Sequence, residues 1–122
     1  MIRLALSSVF YLFLVFFAHK TLADEAFITA QNAQSLDIID LTSMTKRLSV
    51  PIAGKPAGVA LSKDGRRVFV TSPEGHFVTI VDRKAGRIEK QIPVKGGPLG
   101  IAVTRAGERL YVTDFYGDML DR

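Results

Sequence analysis

What most constrains this chain is that it repeats itself. The stretch from Pro56 to Gly75, PAGVALSKDGRRVFVTSPEG, returns without a gap from Pro98 to Gly117 as PLGIAVTRAGERLYVTDFYG. Eight of the twenty aligned pairs are identical, including Pro56/Pro98, Gly58/Gly100, Gly65/Gly107, Val70/Val112 and Thr71/Thr113. Ordinary composition would give about one or two such matches. The frame also runs backwards: Phe69-Val70-Thr71 aligns with Phe27-Ile28-Thr29, Val78–Asp82 with Leu36–Asp40, and Ile92-Pro93-Val94 with Val50-Pro51-Ile52. Everything from Phe27 to the last residue shares one frame, whose period is about 42 residues.

Within the complete middle unit, alternation and turn residues predict four strands. Gly58–Ser62 is short and apolar. Arg67–Ser72 places Val68, Val70 and Ser72 on one face and Phe69 and Thr71 on the other. Phe77–Asp82 follows, and Arg87–Val94 is the polar outer strand, as suits an edge. Lys63–Arg66, Pro73–His76 and Arg83–Gly86 are the turns, where Asp and Gly tolerate the backbone geometry required. Asp40 and Asp82, which end equivalent strands, are expected to anchor the turns that follow them. Phe69 and Tyr111 are expected in the core by period. The predicted class is all-β, and four strands in a repeat of this length is the pattern of a propeller blade; a β-sandwich with accidental similarity is the other all-β reading. The expected fold is a partial β-propeller of four-stranded antiparallel blades. An incomplete first blade spans 24–55, a complete one 56–97 and a cut-off one 98–122.

Residues 1–23 stand outside the frame. Arg3 gives a positive start, Leu4–Ala18 is an apolar run broken only by Ser7 and Ser8, and Thr21-Leu22-Ala23 offers small residues just before Asp24-Glu25. This pattern predicts a secretory signal peptide cleaved near Ala23, hence an exported protein, periplasmic or secreted. An uncleaved anchor is the alternative, although this run of fifteen residues is short against the roughly twenty that span a bilayer. Without the leader's Arg3 and Lys20, the 16 basic residues fall to 14 against 12 acidic. That mild balance, with no basic run, gives no footprint for nucleic acid. The chain has no cysteine, so disulfides, thiolate nucleophiles and Cys-based metal sites are all excluded.

The repeated residues resemble the YVTN family of β-propeller repeats, named for a Tyr-Val-Thr-Asn run on the second strand. Here that run reads Tyr111-Val112-Thr113-Asp114, Phe69-Val70-Thr71-Ser72 and Phe27-Ile28-Thr29-Ala30. The preceding Pro-x-Gly-Ile-Ala-Val pattern is matched by Pro98-Leu99-Gly100-Ile101-Ala102-Val103, with Ala106 where the family carries Asp. Val81-Asp82, Ala85-Gly86 and Ile92-Pro93-Val94 fit the family's third strand, turn and outer strand. The resemblance implies a propeller. For function it implies only a range: the large subunit of amine dehydrogenases, the haem-carrying domain of a nitrite reductase, lactonases, or surface and periplasmic binding proteins.

A propeller closes a ring of about four to eight blades, whereas this chain holds little more than two repeats. It therefore reads as the N-terminal piece of a longer propeller. An open arc this small has a thin core. Leu36, Ile38, Leu110 and Val112 are expected on uncovered faces, leaving the chain marginally folded or self-associating.

No nucleophile elbow, phosphate loop or paired metal-ligand motif is present, so no catalytic residue, metal or cofactor is assigned. His76, the only histidine after the leader, falls in a turn and reads as a solvated loop residue. In a propeller, the loops between second and third strands emerge on the same end as those joining outer strand to next inner strand. Here they carry Lys55, Glu74, His76, Lys95, Tyr116 and Asp118, the candidate ligand face. The expectation is an exported, non-catalytic binding scaffold that meets a protein or small ligand there and touches the membrane only through its leader. The alternative is the N-terminal part of a periplasmic enzyme or redox-subunit propeller, amine dehydrogenase-like or lactonase-like.

Overall fold

Short runs of β-branched and aromatic residues, punctuated by Gly, Asp or Pro, fold back on themselves as antiparallel meanders. The computed structural model describes residues 24–107, 109–117 and 120–121; the expected leader (1–23) and Asp118 lie outside them. The first sheet comprises β1 (Glu25–Ala30), β2 (Ser35–Asp40) and β3 (Thr45–Pro51). The second comprises β4 (Val59–Leu61), β5 (Arg67–Ser72), β6 (Phe77–Asp82) and β7 (Arg87–Pro93), and the third β8 (Pro98–Val103), β9 (Leu110–Asp114) and β10 (Leu120–Asp121). Every neighbouring pair is antiparallel and sequential. Each sheet is one turn of the repeating frame, and together they form an unclosed stack of propeller blades.

The turns are closed by the side chains expected to close them. Asp40 Oδ1 accepts the Thr42 and Ser43 amides at 2.8 and 3.2 Å, and Asp82 Oδ1 accepts the Ala85 amide at 2.8 Å. Asp64 does the same within β4–β5, taking the Arg66 amide at 3.0 Å and the Ser62 hydroxyl at 2.6 Å. The outer strand of each of the first two sheets bulges at the same place in the frame. Ile38 pairs Leu48 but Ile39 pairs Lys46, leaving Arg47 unpaired; Ile80 pairs Lys90 but Val81 pairs Ile88, leaving Glu89 unpaired. A bulge bends the strand and re-aims the extra side chain.

The sheets stack face to face, and the core lies between them. Leu36, Val50 and Ile52 of the first repeat meet Val68, Val70 and Val81 of the second, with Phe27, Val59, Leu61 and Phe77 packed around them. On its other face the second sheet sets Phe69 and Val78 against Val112, with Ile80, Ile101, Val103 and Leu110 beside them. Period-2 alternation serves both faces of β5, which is buried from Val68 to Ser72. One threonine per sheet stitches each interface. Thr29 Oγ1 donates to the Ala57 carbonyl at 2.7 Å, and Thr71 Oγ1, its counterpart in the next repeat, donates to the Leu99 carbonyl at 2.7 Å.

Two expectations are corrected here. Leu36, Ile38 and Val112 are not on uncovered faces but buried, at 0 %, 0 % and 5 % exposure, and Leu110 packs in the second cluster. These residues point inward along the stack, so the uncovered faces hold their alternates: Ile28, 52 % exposed, and Tyr111. Tyr111 was expected in the core beside Phe69 but is only half-buried. It stands on the side of β9 turned away from the second sheet, with nothing among the described residues laid over it, whereas the third sheet covers Phe69.

Candidate functional site

The strands present two ends, and each gathers a different chemistry. At one end lie the β1–β2, β5–β6 and post-β9 loops together with the β3–β4 and β7–β8 connections, which bring five of the six candidate residues to one rim. This rim is held rigidly by its own hydrogen bonds. Gln34 adopts a left-handed backbone (φ 51°) and its Oε1 accepts the Gly54 amide at 3.0 Å. His76, its counterpart in the frame, has φ 59° and its Nδ1 lies 2.5 Å from the Gly96 carbonyl. Because a carbonyl only accepts, Nδ1 is the donor in this bond. Gly54 and Gly96 are themselves at φ 80° and 70°.

Around His76 the rim is continuous with the third sheet. Asp114 Oδ1 accepts the amides of Gly97 and Tyr116, both at 2.9 Å, and the Phe115 amide donates to the Gly97 carbonyl at 2.7 Å. Phe115 and Tyr116 meet edge to face at 5.3 Å, and both are 64 % exposed. Lys95 is exposed on the same connection. Lys55 and Glu74 belong to a neighbouring group: Lys55 Nζ lies 3.5 Å from Asn32 Oδ1, and the Glu74 amide donates to the Gly54 carbonyl at 3.1 Å. Gln34, Asn32 and Asp114 were missed by sequence reasoning, although Gln34 occupies the place of His76 in the preceding repeat.

At the opposite end lies a polar groove of about 950 Å³ that no motif announced, lined by Glu25, Arg47, Arg66, Arg67, Arg83 and Glu89 among others. The bulge residue Arg47 reaches across its sheet to Glu25, with Nε–Oε2 at 2.5 Å and Nη2–Oε1 at 3.3 Å. Arg83 comes from the second sheet to the same carboxylate at 2.9 Å, its guanidinium 5.3 Å from the centre of the Phe27 ring. Arg47 also donates to the Arg83 carbonyl at 3.0 Å, so the cluster ties the two sheets together. Burial pushes the Glu25 carboxyl up, but the hydrogen bonds and charges of Arg47 and Arg83 outweigh it and leave the group below the ordinary glutamate value.

The second sheet repeats this arrangement with the signs exchanged. Bulge residue Glu89 accepts from Arg67 Nε at 3.0 Å, and these two positions are those of Arg47 and Glu25 moved on by one repeat. Among the described residues, no three His, Asp or Glu side chains are grouped so that they could hold a metal ion.

A family model described as a YNCE-like beta-propeller matches residues 13–117. No curated protein matches the chain. Among solved structures, it is similar to Kuenenia stuttgartiensis hydrazine synthase, at 27 % identity and a TM-score of 0.72 over 74 % of this chain. It is also similar to the dihydro-heme d1 dehydrogenase NirN, at 19 % identity and TM-score 0.70 over 83 % of this chain. A third likeness is to a functionally unknown protein from Desulfotomaculum acetoxidans DSM 771, at 18 % identity and TM-score 0.64 over 74 %. The latter two likenesses concern the fold alone. The chain covers 26 %, 22 % and 31 % of these three structures' own lengths.

Proposed function

The chain belongs to the YNCE-like β-propeller family, and from that premise we propose that it is an exported, non-catalytic binding scaffold whose loop rim meets a protein or small ligand. The observation that carries this reading is the build of the rim. Its connections are locked by Gln34–Gly54, His76–Gly96 and Asp114–Gly97 bonds, while Lys55, Glu74, His76, Lys95 and Tyr116 stand on that frame. Fixed loops displaying mixed charge and an exposed aromatic pair lose little entropy on binding. The leader-like composition of residues 1–23 supports export.

Amide chemical-shift mapping during titration with a panel of amines, carboxylates, sugars and short peptides tests the reading. Shifts clustered on His76, Lys95 and Tyr116 support it. Shifts confined to the arginine groove, or none with any member of the panel, overturn it.

The 27 % identity to hydrazine synthase over 74 % of the chain favours one second reading, in which the chain supplies blades to a larger periplasmic enzyme or redox subunit. Reacting groups would then come from outside these residues, and the rim would face them. Co-purification with a redox-active partner separates this reading from the first.

A further inference from the structure

Three side chains of the rim converge on one dipeptide, Gly96–Gly97. His76 Nδ1 donates to the Gly96 carbonyl at 2.5 Å. Asp114 Oδ1 accepts the Gly97 amide at 2.9 Å, and its carboxylate lies so close over Gly96 that a Cβ there would overlap Oδ2. The Tyr116 ring lies against Gly97, where a Cβ would come within 2.5 Å of its Cδ2 and Cε2. Lys95 is exposed immediately before the pair.

The repeating frame does not ask for these side chains. One repeat earlier, the place of His76 is held by Gln34, whose side-chain carbonyl accepts the Gly54 amide. The place of Asp114 is held by Ser72, which donates to the Ala53 carbonyl at 2.8 Å. The places of Gly97 and Tyr116 are held by two charged residues, Lys55 and Glu74. Glu74 is exposed although its sheet has a neighbour on both sides. The exposure of Tyr116, at 64 %, therefore belongs to the position itself and not to the place of its sheet in the stack. Core packing does not account for a ring there, beside a carboxylate and an imidazole.

The groups around the dipeptide keep bonding capacity to spare. Among the described residues, Asp114 Oδ1 takes two amides but no donor reaches Oδ2, and nothing meets His76 Nε2 or Lys95 Nζ. We propose that this patch binds a neutral saccharide, one sugar ring lying on Tyr116 with its hydroxyls on Asp114 Oδ2 and His76 Nε2; the proposal rests on the reading of the rim as the binding face. The C–H face of a sugar ring is mildly positive and packs on the negative face of an aromatic ring. A hydroxyl is both donor and acceptor, so it satisfies a carboxylate oxygen and meets Nε2 in either protonation state of the imidazole. Charge sets the class. An anionic ligand would meet Asp114 and Glu74, and a cationic one Lys95, whereas an uncharged ring of hydroxyls meets no like charge.

The test is amide chemical-shift mapping of the full chain with neutral cello-, malto- and N-acetylglucosamine oligosaccharides at millimolar concentration. Shifts on His76, Gly96, Gly97 and Tyr116 with at least one of them are expected. Tyr116→Ala should weaken that binding about tenfold, whereas Tyr116→Phe, which keeps the ring, should stay within about twofold of the parent. Both alter an exposed side chain, so each is expected to keep its strand signal by circular dichroism. A folded Tyr116→Ala that binds as tightly as the parent overturns the proposal. So does tighter binding of the deacetylated, amine-bearing oligosaccharide or of a uronic-acid oligomer than of its neutral counterpart. Rim shifts with peptides, amines or carboxylates but with no sugar overturn the saccharide and leave the rim as the binding face. Shifts confined to the arginine groove remove both.

Discussion

Thr71 and Leu99 are joined across the boundary between two sheets by one hydrogen bond, the Thr71 hydroxyl donating to the Leu99 carbonyl at 2.7 Å. The same oxygen accepts the Gly58 amide at 2.8 Å, and the side chain is fully buried. Thr71→Val keeps the shape and removes both bonds, leaving an amide and a carbonyl unanswered. A loss of about 1–3 kcal/mol per stranded group is the scale of such changes. Urea denaturation should show Thr71→Val clearly weaker and Thr71→Ser close to the parent. Equal midpoints for all three would show that the threonine does not join the sheets.

Glu25 makes stability depend on acid. Its carboxyl, raised by burial but lowered further by Arg47 and Arg83, lies below the ordinary value in the folded chain. Such a group lends its full stability above its unfolded pKa of about 4.3 and loses it as pH falls through the folded value. Glu25→Gln should be weaker than the parent at pH 7, with a flatter decline below about pH 4.5. Asp37, held low first by Ser49 and then by Lys46 and Ser35 against burial, has the same sign, so some decline remains. Parallel stability curves from acid to neutral pH would count against the role given to Glu25.

Two glycines separate crowding from backbone strain. A Cβ on Gly58 would overlap the Leu99 carbonyl oxygen, whereas one on Gly107 (φ +71°) meets nothing within 4 Å. Gly58→Ala should force the second and third sheets apart, at a cost at the upper end of the roughly 1–3 kcal/mol of overpacking. Gly107→Ala should cost only the left-handed penalty of about 1–2 kcal/mol, and Gly107→Asn less than that. Thermal melts of the three variants should rank in that order.

His76 can be tested against its own counterpart. Gln34 locks the equivalent turn by accepting the Gly54 amide, whereas His76 donates to the Gly96 carbonyl; a glutamine at 76 carries both an acceptor and a donor, so His76→Gln should melt near the parent, whereas His76→Ala loses the bond to Gly96 and should melt several degrees lower. A large loss in His76→Gln would mean that the imidazole is needed by the fold rather than left available at the rim.

Much of this architecture was legible in the sequence because the repeat and the alternation report the same thing. Arg67–Ser72 and Phe77–Asp82 were placed to the residue, and the turn roles of Asp40, Asp64 and Asp82 followed from where they stand. Facing was harder. Alternation shows that Leu36 and Ile28 lie on opposite faces but not which face another sheet covers, and so Leu36, Ile38, Leu110 and Val112 were placed on the wrong side. Five candidates at the rim followed from topology. Their supports, Gln34 and Asp114, did not, because side-chain-to-backbone locks leave no periodic trace. The arginine groove was hidden for another reason: its charges face one another only once Arg47 and Glu89 are displaced by bulges.

The exchanged signs in the Glu25–Arg47 and Arg67–Glu89 pairs bear on how sibling blades tell themselves apart. Structurally equivalent neighbours in one chain can trade strands while folding, a characteristic failure of repeat proteins. If β1 took the place of β5 in the wrong sheet, Glu25 would confront Glu89, and Arg67 would be left to confront Arg47. The double variant Arg67→Glu with Glu89→Arg makes the siblings alike while keeping each pair attractive, and refolding from urea should then give a larger misassembled fraction than the parent. The polarity of each pair thus acts as a label of kinship, accepting a strand's own partner and refusing its twin.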